Sequence, residues 1–262
     1  MPQVIEAFFY IYNMINKTLQ FLNIICICFI FFACSGTNSS GNMALNSEKE
    51  LIAANLKAIV VNDQNFKQEI IESENLVQDG DIIVRTADNR ESNFLRNFSD
   101  KDKTFSHAGV AFKNGDSLFV YNAVGAGLNP SKELMKEPYV DFCYTKDKSR
   151  KGCGIFRYPS LTIAEKEAFK NQIFTYYAQK IKFDTAFNLK DDEYMYCSEM
   201  IAKAFKKATK NRINIPITTK LQQEINMMDD RKIATPSFEY YAMDNIYFNQ
   251  WTTEVKRIMI KN

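Results

Sequence analysis

Apolar and polar positions alternate most clearly in the run HAGVAFKNGDSLFVYNAVG, which reads as two strands either side of a tight turn. Asn114-Gly115 is the predicted loop, because a type I′ hairpin needs positive φ at both central positions and this dipeptide tolerates it. Upstream, Leu51, Leu56, Ile59 and Val60 recur at helical spacing, so a packing helix is expected from Ser47 to about Ile71, with Ser47 as N-cap and Glu50 three residues later. Asp79-Gly80 is a turn signal and the IIV run after it reads as a strand. The polar stretch from Thr86 to Lys103 reads as a loop with a short helix around Phe94 to Phe98, either bordering a cleft or simply solvated. A strand is expected over Gly154 to Tyr158, then a helix from Thr162 to about Lys180 with Glu165 closing a capping box, then a helix from Cys197 to about Lys207. The tail alternates aromatic-rich segments, FEYYAM and IYFNQW, with polar turns, and is expected to close the sheet.

The first residues follow a different pattern. Lys17 precedes the apolar stretch Phe21 to Ala33, which is short for a bilayer span and fits the h-region of an export signal. Ala33 is a small residue before Cys34, and SGTNSSGN is a polar, flexible spacer. The arrangement resembles a bacterial lipoprotein lipobox, although Phe31 and Phe32 stand where an aliphatic and a small residue are usual. This predicts a signal peptide over 1–33, a lipid on Cys34 opening a spacer over 34–46, and one domain over 47–262, in a protein anchored to the membrane of the cell envelope. Plain secretion and a membrane-tethered helix are the alternatives, and Met14 would begin a signal of ordinary length. Lysines and arginines total 33 against 31 acids, a net charge of +2, so no strong field is available to hold a polyanion and nucleic acid is not an expected partner.

Cysteine usage then narrows the chemistry. Cys26 and Cys28 would leave with the signal and Cys34 would carry lipid, leaving Cys143, Cys153 and Cys197 in an oxidising compartment. If Cys143 pairs with Cys153 across YTKDKSRKG, Cys197 is free; three unpaired buried thiols are the alternative.

His107 is the only histidine in the chain, so a reaction that needs an imidazole near neutral pH has one supplier. Its best partner is Cys197, in YMYCSEMIAKAFKKA, because unpaired N–H groups and the positive dipole end at a helix start favour a thiolate. The backbone N–H groups of Cys197 and Ser198 could also receive an oxyanion there. With Asn114 and Gly115 as the loop, Lys113 faces Asp116 and His107 faces Asn122, whose amide could hold the ring for a thiol in a Cys-His-Asn arrangement. His107, Gly109 and Ala111 share one strand face, so the ring has small neighbours. Plainer readings stand beside these: a satisfied half-buried histidine, and a cysteine acting as a small apolar member of the stripe Cys197, Ile201, Ala204 and Phe205. Glu199, four residues before Lys203, reads as helix support. Lys203, Lys206, Lys207, Lys210 and Arg212 suit a solvated helix end. One histidine without a cysteine cluster argues against a zinc site, and the chain has neither a phosphate-cradling glycine loop nor a G-x-S-x-G elbow, so no cofactor is expected.

The order GDIIV, SHAGVAF, VYNAVG and, about 90 residues after the histidine, YCSEMIAKAF resembles the YiiX and YebB-like group of circularly permuted, papain-fold cysteine hydrolases of the NlpC superfamily. In ordinary NlpC relatives the cysteine helix precedes the histidine strand; here it follows. The resemblance runs from about Asp79 to Thr209. It implies an α+β, papain-like fold with an antiparallel sheet packed against helices, and hydrolysis of an amide or ester through a thioester. By it Cys197 corresponds to the nucleophile, His107 to the base and Asn122 to the third polar position, where many relatives carry a carboxylate or histidine. Three functions fit: an envelope amidase or peptidase acting on cell-wall peptides, a thiol acyl hydrolase or transferase acting on lipids or acylated small molecules, and a catalytically silent binding module.

Overall fold

The IIVRTA run forms the centre of a sheet that is buried on both faces. The computed structural model describes residues 64–87, 90–125, 131, 133–145, 149–221 and 237–260, all within one compact unit. The strands are β1 (Ile82–Ala87), β2 (His107–Asn114), β3 (Ser117–Asn122), β4 (Met135–Pro138), β5 (Arg150–Arg157), β6 (Thr218–Leu221), β7 (Ser237–Tyr240) and β8 (Thr253–Met259). Six form one sheet in the order β4-β3-β2-β1-β5-β8 with every neighbour antiparallel, while β6 and β7 pair separately. The helices are α1 (64–73), α2 (Arg90–Arg96), α3 (Tyr139–Cys143), α4 (Ile163–Ala178), α5 (Cys197–Ala208) and α6 (Met243–Tyr247). This is the mixed, antiparallel architecture expected for a permuted papain-like chain. The predicted signal peptide, Cys34, the spacer and residues 47–63 of the predicted first helix lie outside the described residues.

Strand alternation divides the interior in two. Ile82, Val84, Val110 and Phe112 point toward α4 and α5, where Phe169, Ile173, Met200, Ile201 and Phe205 complete a large aromatic core. Phe205 stacks on Phe169 and tilts against Tyr158, each with ring centroids 4.1 Å apart. On the opposite face Ile83, Ala111, Val120 and Ile155 meet Phe66 and Ile70 of α1 and Tyr139 and Phe142 of α3. Cys143 and Cys153 are disulfide-bonded, with Cα atoms 5.5 Å apart, which fastens the end of α3 to β5 and leaves Cys197 as a free, buried thiol.

The local signals translate with instructive differences. Thr162 caps α4 as expected: its Oγ1 accepts the Glu165 N–H at 3.2 Å, and Glu165 Oε2 accepts the Thr162 N–H at 2.9 Å. The short helix expected around Phe94 to Phe98 lies earlier, as α2, and β5 begins at Arg150 rather than Gly154 because residues 150–153 continue the pairing with β1. The hairpin loop is Gly115-Asp116, closed by Asn114 opposite Ser117. Only Gly115 of the two has positive φ, 61°, which is the II′ pattern rather than the predicted I′. The tail does reach the sheet, with β8 added beside β5 at one edge. Its preceding segment braces the start of α5: the Ser198 hydroxyl donates to the Tyr241 carbonyl at 2.7 Å, and the Tyr241 N–H donates to the Tyr196 hydroxyl at 2.7 Å.

Candidate active site

His107 opens β2, and its half-buried ring lies on the face covered by α3, 5.7 Å from the Phe142 ring centroid. Asn122 ends β3 on the same face, fully buried, with Oδ1 2.9 Å from His107 Nε2. The sequence placed these two residues directly opposite each other; the observed register instead sets Gly109 across from Asn122, so His107 is its diagonal neighbour. A loop displaced by one residue moves each strand partner by two positions, which conserves the face. The glycine then makes the diagonal passable. A Cβ at position 109 would lie 3.0 Å from Asn122 Cβ and 2.9 Å from the Tyr121 carbonyl oxygen, and would collide with the Val120 side chain. Gly109 therefore admits the amide beside the ring.

Cys197 is the first residue of α5 and retains 7% of its surface. The N–H groups of Ala108, Ser198 and Cys197 itself lie near its sulfur and favour its charged form. The Ala108 contact locates the thiol. In β2 the odd-numbered residues bond to the β1 side, as Ala111 does with Gly80 and Asp81, so the even-numbered ones face β3. The β2–β3 ladder ends at Val110 and Tyr121, leaving the Ala108 N–H just past its last pair. The thiol therefore lies near the backbone of the residue that follows His107. Among the described residues no hydrogen bond joins this sulfur to the imidazole; catalytic hydrogen bonds are commonly long before substrate binds.

Arg85 was not singled out from the sequence, yet it lies beside these groups. It is buried, stands opposite His107 in the β1–β2 register, donates from Nη1 to the Phe142 carbonyl at 3.0 Å and stacks its guanidinium 4.3 Å from the Phe142 ring centroid. Its Nη1 is 3.8 Å from Glu137 Oε1, and the same oxygen accepts the Asn122 Nδ2–H at 2.9 Å. Burial lowers the Arg85 pKa to about 9, with the Arg150 charge acting in the same direction and Glu137 against it. The His107 pKa is held well below 6.5 by burial and then by the Arg85 charge, while the Asn122 hydrogen bond opposes the shift. Burial raises the Cys197 thiol above its ordinary value, opposed by the Ala108 N–H, the Ser198 N–H and the charge of Arg85. A thiolate was expected at this helix start. The amides do favour it, but desolvation is larger, so burial disfavours the charged form of both the thiol and the imidazole.

Arg85 had a usable signal, since a charge inside a strand buried on both faces must find partners. Glu137 had none, because it sits in a four-residue edge strand without apolar periodicity. Glu199 does support its helix, but more deeply than surface spacing suggested. It is fully buried, accepts the Tyr196 N–H at 3.3 Å and lies 2.8 Å from Lys203 Nζ. Burial lifts its pKa to about 7 against the pull of Lys203. Lys203 is correspondingly not on a solvated face: its side chain is 11% exposed, and it also bonds the Asp191 carbonyl and lies 2.9 Å from Asp192 Oδ1. Lys207 and Arg212 form exposed ion pairs with Asp192 and Glu165, in keeping with a solvated helix end. Among the described residues no group of histidine, cysteine and carboxylate side chains is arranged to hold a metal ion.

A family model described as "Permuted papain-like amidase enzyme, YaeF/YiiX, C92 family" matches residues 76–253. That interval contains the cysteine helix, the histidine strand and the polar row beside it. Among solved structures, the crystal structure of the metalloprotein yiiX from Escherichia coli O157:H7 aligns with a TM-score of 0.53 and 16% sequence identity, covering 68% of this chain and 96% of that one. No curated protein sequence matches the chain significantly. The chain belongs to the permuted papain-like amidase family of YaeF and YiiX, and is a cysteine hydrolase.

Proposed function

We propose that the chain is an amidase of the bacterial cell envelope that cleaves peptide amides of cell-wall fragments through a thioester on Cys197. The observation that carries the reading is the 2.9 Å contact of His107 Nε2 with Asn122, which leaves Nδ1 of the ring without a partner among the described residues, together with a free thiol near the Ala108 backbone. His107 takes the thiol proton on Nδ1 as the sulfur bonds to the substrate carbonyl carbon, and the N–H groups of Cys197 and Ser198 hold the oxyanion. The C–N bond then breaks, the imidazolium returns its proton to the departing amine, and a thioester remains. Water attacks the thioester, giving up a proton to the same nitrogen, and the free acid leaves with the thiol restored. A neutral resting pair suits this order, since the base is unprotonated at pH 7 and accepts the proton only when an electrophile is present.

Export is supported by the signal-like segment ahead of Cys34 and by the Cys143–Cys153 disulfide, which persists in oxidising compartments. The test is mass spectrometry of the wild type, Cys197→Ala and Asn122→Ala, each incubated with cell-wall fragments and with phospholipid vesicles. The expected result is new carboxyl termini on the peptide fragments, none with Cys197→Ala, and turnover reduced about 100-fold with KM nearly unchanged for Asn122→Ala. Acyl release from phospholipid with the peptides left intact would replace the substrate. Full turnover by Cys197→Ala would overturn the mechanism.

A further inference from the structure

We propose that Glu137 is a positioning residue that fixes the tautomer of His107 through Asn122. The inference rests on His107 being the base proposed above, but its structural content is independent of any substrate. The argument is one of donors and acceptors along a chain of three buried or half-buried side chains. Glu137 Oε1 stands 2.9 Å from Asn122 Nδ2, and a carboxylate oxygen can only accept, so the amide must turn its NH₂ toward Glu137. Its carbonyl oxygen Oδ1 then faces His107 Nε2 at 2.9 Å, and that oxygen can also only accept. Nε2 must therefore carry the ring proton, and Nδ1 is left with the lone pair that a general base needs.

Asn122 alone cannot impose this order, because its amide is nearly symmetric in shape and either end can face the ring. Turned over, it would offer Nδ2–H to Nε2 and drive the proton onto Nδ1, the nitrogen that has to be bare. Glu137 breaks that symmetry. Arg85 lies 3.8 Å from the same carboxylate oxygen, so a guanidinium compensates the charge that the relay brings beneath α3, and that guanidinium is itself held by a hydrogen bond to the Phe142 carbonyl. The row Arg85, Glu137, Asn122 and His107 thus runs from a buried cation to the working nitrogen, each member oriented by the one before.

A single histidine makes the test direct. Protein labelled with ¹⁵N-histidine gives imidazole signals from His107 alone, and their shifts and couplings to the ring protons report which nitrogen is protonated. The wild type at neutral pH is expected to show Nε2 protonated and Nδ1 bare. Glu137→Leu removes the acceptor and is expected to show a mixture of tautomers or the Nδ1–H form, with kcat lowered roughly tenfold to a hundredfold and KM within about twofold. Glu137→Gln can still present Oε1 to Asn122 and is expected to restore most of both the tautomer signature and kcat. Thermal unfolding of each variant shows that the fold is retained. A folded Glu137→Leu protein that keeps the pure Nε2–H signal overturns the inference, as does a wild type with the proton on Nδ1. If no substrate is ever turned over while the tautomer follows Glu137 as described, the proposed amidase reading fails and this inference stands.

Discussion

The two faces of the sheet use the same strands for opposite purposes. Toward α4 and α5 the strands present Ile82, Val84, Val110 and Phe112 to an aromatic core whose contacts are interchangeable apolar surface. Toward α3 they present Arg85, His107 and Asn122, whose contacts are hydrogen bonds with fixed donors and acceptors. The first face holds the helix that carries Cys197, the proposed nucleophile; the second orients His107, the proposed base. The candidate site lies where the faces meet, at the end of β2, where the β2–β3 ladder stops at Val110 and Tyr121 and the Cys197 thiol is near the Ala108 backbone. Strand parity therefore sorts the side chains: the even-numbered ones of β2 enter the aromatic core, and the odd-numbered ones face α3, where His107 joins the polar row and Ala111 a second, smaller core.

The sharpest break of that division comes from the apolar side. Phe205→Ala should lose about 4 kcal/mol of unfolding free energy, since it empties the space between Phe169 and Tyr158, and urea denaturation measures it. Residual folded protein should keep the His107 tautomer and the Cys197 reactivity unchanged. If that variant lost reactivity while staying folded, the two faces would not be independent.

Lys203→Met probes a charge buried on the packing side. It should cost about 3 kcal/mol at pH 8, because Glu199 loses the cation that pairs with it. The folded pKa of Glu199, about 7, lies above its ordinary 4.5, so the folded state binds this proton more tightly than the unfolded one. Its contribution to stability is fully present below about 4.5 and is lost as the pH rises through about 7. The penalty of the mutation should accordingly be much smaller at pH 5, where the carboxyl is neutral. An equal penalty at both values would show that Glu199 is not the group responsible.

Gly109→Ala tests the polar face from within the sheet. Its Cβ would press on Val120, the Tyr121 carbonyl and Asn122 Cβ, at a cost of about 2 kcal/mol. Its larger effect should fall on function, with kcat reduced at least as far as in Asn122→Ala, because the methyl occupies the diagonal between the amide and the ring. Unaltered turnover would mean that the His107–Asn122 bond is dispensable.

How far each face could be read from the sequence follows from the same physics. The amphipathic run from Cys197, the capped helix after Thr162 and the buried IIV strand depend on periodicity and local caps, which a chain states directly, and all three stand where expected. The pairing of His107 with Asn122 was also legible, but through the wrong turn. Asn-Gly was read as an I′ loop, whereas a glycine at the first loop position serves II′ equally well, and the one-residue displacement preserved the face by parity. Charge compensation was less accessible. Nothing in LMKEPYV marks Glu137 as the partner of an asparagine fifteen residues earlier, because that contact exists only after β3 and β4 have paired. Burial likewise cannot be summed from spacing, which is why a helix-start thiol looked acidic when desolvation in fact raises it.

The bridge between Cys143 and Cys153 joins α3, whose Phe142 carbonyl holds Arg85 and whose Phe142 ring flanks His107, to β5 of the sheet. Protein recovered from a glutathione-rich cytosol would lack that staple while retaining every residue of the relay. Specific activity of such a preparation would then fall as its free-sulfhydryl titre rises, and a sample that looks inert by assay would need oxidative refolding before its catalytic competence could be judged.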